Sequence, residues 1–294
     1  MALNREKIHQ SAQRLAQKGQ LDRAIQELGQ ILVEDPADAR TLQRIAELYA
    51  KKGTYQEAIQ TYVRLAEVLS KAGFYQRAVA VYHQILQLNP TLTEILVALA
   101  ETLSKLGLPQ EATKIYQRAV QLLQKADKAD QAARILDKLI AANPDDYQAR
   151  LQLAEMYLKI GRNDDAIRAF EEALPALRVH GRDDLFKRAA ERLLYYRPDN
   201  LALCRELAVF HLQRSNIPQA MKLLQYCHKR DPDDIETLRL LATHFVSADL
   251  PDKAAVVLQQ MARVYAKSGD HAAAAAVEER LRQLRPQEPA SRAA

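Results

Sequence analysis

Proline returns in step along this chain. The phrases Glu-Asp-Pro36, Leu-Asn-Pro90, Ala-Asn-Pro144, Tyr-Arg-Pro198, Arg-Asp-Pro232 and Leu-Arg-Pro286 each close an apolar helical pattern, at spacings of 54, 54, 54, 34 and 54 residues. A period in this range means that one supersecondary unit recurs and must stack on its neighbours to bury its apolar face. A step of 34 residues fits two helices with their turns, and the step of 54 exceeds it by 20, one further helix. Composition agrees. Alanine (48) and leucine (42) make up close to a third of the 294 residues, and glycine numbers only 8. A sheet protein needs more turn and β-branched residues than that, so the expected fold is all-α.

The pattern inside the units is as regular as the spacing between them. In a 34-residue frame with Ala24 at position 20, that position falls on Ala24, Ala58, Ala78, Ala112, Ala132, Ala166, Phe186, Ala220, Ala254 and Ala274. Position 8 is alanine in eight frames: Ala12, Ala46, Ala66, Ala100, Ala154, Ala208, Ala242 and Ala262. Small residues at these two places let paired helices cross closely. Position 15 holds Gly19, Gly53, Gly73, Gly107, Gly161, Gly181 and Gly269, seven of the eight glycines. A glycine there ends the first helix in a left-handed conformation that other residues adopt at a cost of ~1 kcal/mol. Proline at position 32 cannot continue the second helix and sets the next turn. Large residues at positions 4, 11 and 24, such as Leu96, Leu103 and Tyr116, form the interlocking core.

On these residues the chain resembles the tetratricopeptide repeat family, over about residues 4–286. It departs from the family in two ways. Position 4 is never tryptophan, and four pairs of frames overlap by one helix, so that 54–70, 110–124, 164–179 and 252–266 each serve as the second helix of one repeat and the first of the next. The resemblance implies a right-handed α-solenoid, a superhelix of about sixteen antiparallel helices in 54-residue three-helix units, over residues 1–286. The last residues, 287–294, are rich in Pro, Ser and Ala and are expected to form a disordered tail.

Several functions are excluded by what is missing. The glycines are helix stops, apart from Gly29, so no phosphate loop exists. The seven histidines are scattered over different frames, and there is neither a His-Glu-x-x-His nor a Cys-x-x-Cys motif. Cys204 and Cys227 fall on core positions 4 and 27 of one frame and read as small buried thiols. Neither catalysis nor a cofactor or metal is expected. No run of about 18 apolar residues is present, and no secretory signal opens the chain, so a cytoplasmic protein without membrane insertion is expected. The net charge of +5 is spread among 42 basic and 37 acidic residues. A nucleic-acid binder concentrates its basic residues, and helical RNA readers repeat a polar code at 35-residue steps; that alternative is carried only by the basic balance.

In the family, first helices line the concave surface, with positions 2, 5, 9, 12 and 13 facing inward. This implies partner-binding candidates Arg40, Gln43, Glu47 and Lys51; Glu94, Glu101 and Lys105; Gln148, Glu155 and Lys159; and Arg205, Val209 and Arg239. Glu at 9 with Lys at 13 recurs in Glu47–Lys51, Glu101–Lys105 and Glu155–Lys159. Such pairs either stabilise their own helix, by about 0.2–0.5 kcal/mol each, or form a charged ladder that reads a partner. Some family members hold the carboxylate of chaperone tails with Lys at 5 and Asn at 9. Here those places hold His9/Gln13, Gln43/Glu47, Val97/Glu101 and Leu151/Glu155, so no such clamp is expected. The resemblance implies an interaction scaffold or adaptor for a protein or peptide partner. The compact build, with little linker, suggests a bacterial one. The exposed ends of a solenoid also offer a route to self-association.

Overall fold

The computed structural model describes residues 4–284, and these contain sixteen helices and no strand. The tail expected over 287–294 lies outside the described residues. An opening pair, α1 (Arg5–Gln17) and α2 (Leu21–Glu34), precedes a block of α3 (Ala39–Lys52), α4 (Tyr55–Lys71) and α5 (Tyr75–Leu88). A second block follows, α6 (Thr93–Lys105), α7 (Pro109–Lys125) and α8 (Ala129–Ala142), then a third, α9 (Tyr147–Lys159), α10 (Asn163–Val179) and α11 (Asp183–Tyr196). The chain ends with a pair, α12 (Leu201–Gln213) and α13 (Ile217–Arg230), and a last block, α14 (Ile235–Ser247), α15 (Pro251–Lys267) and α16 (His271–Leu284). The four shared helices foreseen from the overlap are α4, α7, α10 and α15, and each has 17 residues. A shared helix must cross one neighbour near its start and another beyond its middle. Thus α4 fully buries both Ala58 and Ala66.

The terminators work as their chemistry requires. At position 15 of all ten frames the backbone is left-handed: seven glycines, together with Asp127 (φ 55°), Ser215 (φ 58°) and Asp249 (φ 55°). Each of these turns carries the same two bonds. At Gly53, for example, the Gly53 N–H donates to Ala50 O (3.1 Å) and the Thr54 N–H to Tyr49 O (3.1 Å), which satisfies carbonyls that the ending helix would otherwise leave open. The sequence reading missed the three non-glycine cases. Ser215 has the poorest tolerance of this conformation, since aspartate visits it more readily. We expect Ser215→Gly to stabilise the second unit by about 0.5–1 kcal/mol, and Asp127→Gly to stabilise the first by less, in thermal melts. A Cβ at Gly107 would meet nothing within 4 Å, so Gly107→Ala costs only the backbone penalty of about 1–2 kcal/mol.

The proline turns are capped from the other side. Asp38, Asp146, Asn200 and Asp234 each accept the N–H three residues on, at 2.7 to 3.0 Å. The second block has Leu92 at this place and no side-chain cap. A further device recurs 28 residues after four of the five prolines of these turns. Arg64 donates to Pro36 O (3.5 Å), Arg118 to Pro90 O (3.1 Å), Tyr226 to Pro198 O (3.1 Å) and Gln260 to Pro232 O (2.7 Å). In the third block that place is Glu172, which cannot donate, and Arg150 bonds both Pro144 O and Glu172 instead.

The helices fall into two compact units, Met1–Ala176 and Leu177–Ala294. In the first, a small core joins α1, α2 and α3 around Ala12, Ala24 and Leu28, and a continuous core then runs from Leu42 to Ala166. In the second, Ala208, Leu224 and Leu241 form one cluster and Leu238, Leu258 and Met261 another. Every alanine of positions 8 and 20 named above is buried. A fully buried leucine contributes about 1.5–3 kcal/mol, so these clusters dominate the stability.

Turns of two to four residues make consecutive helices antiparallel. Side-chain bonds that skip one helix show the layering. In the first unit Arg40 on α3 meets Glu6 on α1 (2.9 Å), Lys138 on α8 meets Glu101 on α6 (2.6 Å), and Gln124 on α7 meets Met156 on α9 (3.8 Å). Within the first unit, odd-numbered helices therefore form one layer and even-numbered helices the other. Three helices per block is an odd number, so from α3 to α6 to α9 each block reverses both the direction and the layer of its first helix.

Candidate binding faces

This reversal decides where the thirteen candidate residues stand. Arg40, Gln43, Glu47 and Lys51 are on α3, and Gln148, Glu155 and Lys159 on α9, both in the odd layer. Glu94, Glu101 and Lys105 are on α6, in the even layer and on a helix of opposite direction. The structure thus does not bring the three sets onto one face. The family's even alternation of first and second helices, on which the single-surface expectation rests, is broken by each shared helix. In the second unit α12 and α14 are both even-numbered, and Arg205 bonds across them to Asp234 (2.7 Å). Arg205, Val209 and Arg239 therefore share a layer.

Two of the Glu-to-Lys pairs within one helix, at Glu47 and Glu101, give way to other partners. Glu47 accepts from Gln43 (3.2 Å) and pairs with Arg44 (3.2 Å). Glu101 is taken by Lys138, and Lys159 reaches Asp127, the left-handed residue ending the turn after α7, at 2.9 Å. Lys105 lies over the Tyr75 ring, 5.7 Å from its centroid. Neighbouring helices sit within reach of these long side chains, and an acceptor across the interface is held by the fold rather than by one flexible helix. Arg239 pairs with Glu236 within its own helix. Lys51, Glu94 and Gln148 are exposed, and Val209 is half-buried.

Electrostatics repeat with the 54-residue period. Burial, and then the charge of Glu47, pushes the Tyr62 phenol up; burial and Glu101 push Tyr116 up to about 12. His9 on α1 lies beside Thr41, Nε2 to Oγ1 3.2 Å, and burial followed by the nearby Arg40 holds its imidazole below the ordinary value. The His9–Thr41 contact braces α1 against α3, and no spacing in the chain signals it. The bonds from position 26 to the proline carbonyl had a legible signal, since Arg64 and Arg118 each follow a proline by 28 residues. Among the described residues no group of three or more His, Cys, Asp or Glu could hold a metal ion, and no helix is long and apolar enough to cross a membrane.

The comparisons with known proteins bear on the family. No curated protein sequence matches the chain significantly. Among solved structures, the chain is similar to the TPR domain of P58(IPK), with 12% identity, a TM-score of 0.31, 98% of this chain and 100% of that one covered. It is also similar to the TPR2AB domain of yeast Sti1 in a pHSP90 complex, with 16% identity, a TM-score of 0.29 and coverage of 95% and 98%. A third is YrrB, described as a TPR protein with an unusual peptide-binding site, with 16% identity, a TM-score of 0.23 and coverage of 72% and 96%. The sequence model of the tetratricopeptide repeat matches residues 15–71, 69–127 and 123–180, three matches that begin 54 residues apart and together span more than half of the chain. With its left-handed helix stops and alanine crossings in that same register, the chain belongs to the tetratricopeptide repeat family.

Proposed function

We propose that the protein is a non-enzymatic scaffold of the cytoplasm that docks a protein or peptide partner on the exposed faces of its first helices. The observation that carries this reading is the division of labour along α3. Its apolar side, Leu42, Ile45 and Ala46, is buried in the stack, while Arg40, Gln43, Glu47 and Lys51 return polar on the other side of a helix fixed at both ends. Rigid elements that hold polar groups in register suit recognition, because little side-chain and backbone ordering remains to be done on binding. Because the α6 set stands in the other layer, the partner contacts α3 with α1, or α12 with α14, rather than one continuous surface. Position 5 and 9 residues do not match the chaperone-tail clamp, so the partner is not a chaperone carboxylate tail.

The test is comparative capture. Purified protein and a Glu47→Ala/Lys51→Ala variant are each cross-linked in native lysate, and the bound proteins are identified by mass spectrometry. We expect the variant to keep its melting temperature, since both side chains are at the surface. It loses at least one protein that the wild type captures reproducibly. Identical capture by both would remove α3 from the binding surface.

A further inference from the structure

The second unit contains a cavity of about 370 Å³, open between α11 and α13 and floored by α12. Leu194, Leu207 and Leu223 give it an apolar lining, with the Cys204 thiol at the bottom. Two observations separate it from a packing gap. The first is His211, which lines the cavity while only 5% exposed. Its imidazole packs edge-on against the Phe210 ring, with centroids 5.7 Å apart, which fixes the side chain at the cavity wall. Burial, and then the charge of Lys187, hold the imidazole below its ordinary value, so it is neutral and presents one donor and one acceptor.

The second observation is the charge beside the opening. Helix α13 carries Lys222, Lys229 and Arg230 and no acidic residue. Lys222 stands on the rim, and Arg230 lies over the ring of Tyr226, itself a rim residue, at 5.5 Å. Lys222 and Lys229 are exposed and have no ion-pair partner among the described residues. The acidic rim residue, Glu191 on α11, faces Lys187 at 3.9 Å. Seven helical residues separate Lys222 from Lys229, about 10 Å along the axis. That span exceeds a small molecule seated in the cavity, but an extended chain covers it in about three residues.

We propose that this cavity docks an acidic segment of a partner protein, which seats one large apolar side chain over Leu207 and lays its carboxylates along Lys222, Lys229 and Arg230. The proposal rests on the interaction role given above but uses a different surface, between second helices rather than on the first ones. His211 supplies the polar contact inside the cavity, bonding the backbone of the residue whose side chain enters it. The rim cations steer the segment and fix its direction.

A fluorescein-labelled synthetic peptide, one phenylalanine followed after a glycine by four glutamates, provides the probe, and fluorescence anisotropy at low salt provides the measurement. The full chain is expected to bind it with a Kd that rises at least tenfold in Lys222→Glu/Lys229→Glu and at least tenfold in Leu223→Trp, which fills the cavity from its wall. Replacing the peptide's phenylalanine by glycine has the same effect, whereas the Glu47→Ala/Lys51→Ala variant binds as the wild type does. The rim variant changes only surface groups, so it stays folded even if the tryptophan variant does not. No binding by the wild type would overturn the proposal. So would binding that ignores the phenylalanine, which is charge attraction alone. Either failure leaves the capture experiment on α3 untouched, so the two readings are judged separately.

Discussion

Leu96→Ala is expected to destabilise the first unit by about 2–5 kcal/mol, and Ala112→Leu by about 1–3 kcal/mol, although the two changes move side-chain volume in opposite directions. Both residues are fully buried in the core that runs from α3 to α10. Leu96 fills the space between α6 and its neighbours, and its loss leaves a cavity that a stack braced on both sides closes only in part. Ala112 sits where α7 crosses, and a larger side chain there must push two helices apart. In a stacked array each interface is shared with one neighbour, so the damage is local and spreads by loss of nearest-neighbour packing. Chemical denaturation followed by circular dichroism checks the pair. A first unit that tolerates Ala112→Leu without loss would show that position 20 is not a tight crossing.

The frame positions were legible from the chain because each depends on one residue's own chemistry. Gly53 stops a helix whatever surrounds it, Pro90 cannot continue one, and Ala58 is small in any context. The helix ends, the sixteen elements and the four 17-residue shared helices follow from those three rules. Asp127, Ser215 and Asp249 escaped notice because they take the left-handed conformation without the residue that announces it. The binding faces were less legible. Glu101 and Lys105 have the spacing of an intrahelical pair, yet Lys138 lies 37 residues away in sequence and 2.6 Å away in space. Side-chain pairing across helices depends on which helices are neighbours, and that depends on counting helices per block rather than on any local motif. The cavity beside His211 is further from the sequence still, since its lining comes from three helices and one turn.

The same count carries the central structural claim, that blocks of three helices alternate the layer of their first helix. Paired cysteines joined by a short bismaleimide test it most directly, with the buried native thiols of Cys204 and Cys227 controlled by the wild-type chain. Glu101→Cys/Lys138→Cys is expected to cross-link rapidly and nearly completely, because α6 and α8 are neighbours in one layer. Glu101→Cys/Glu155→Cys is expected to stay unlinked, because α6 and α9 stand in opposite layers. Rapid linking of 101 to 155, with none between 101 and 138, would place the first helices side by side and contradict the account.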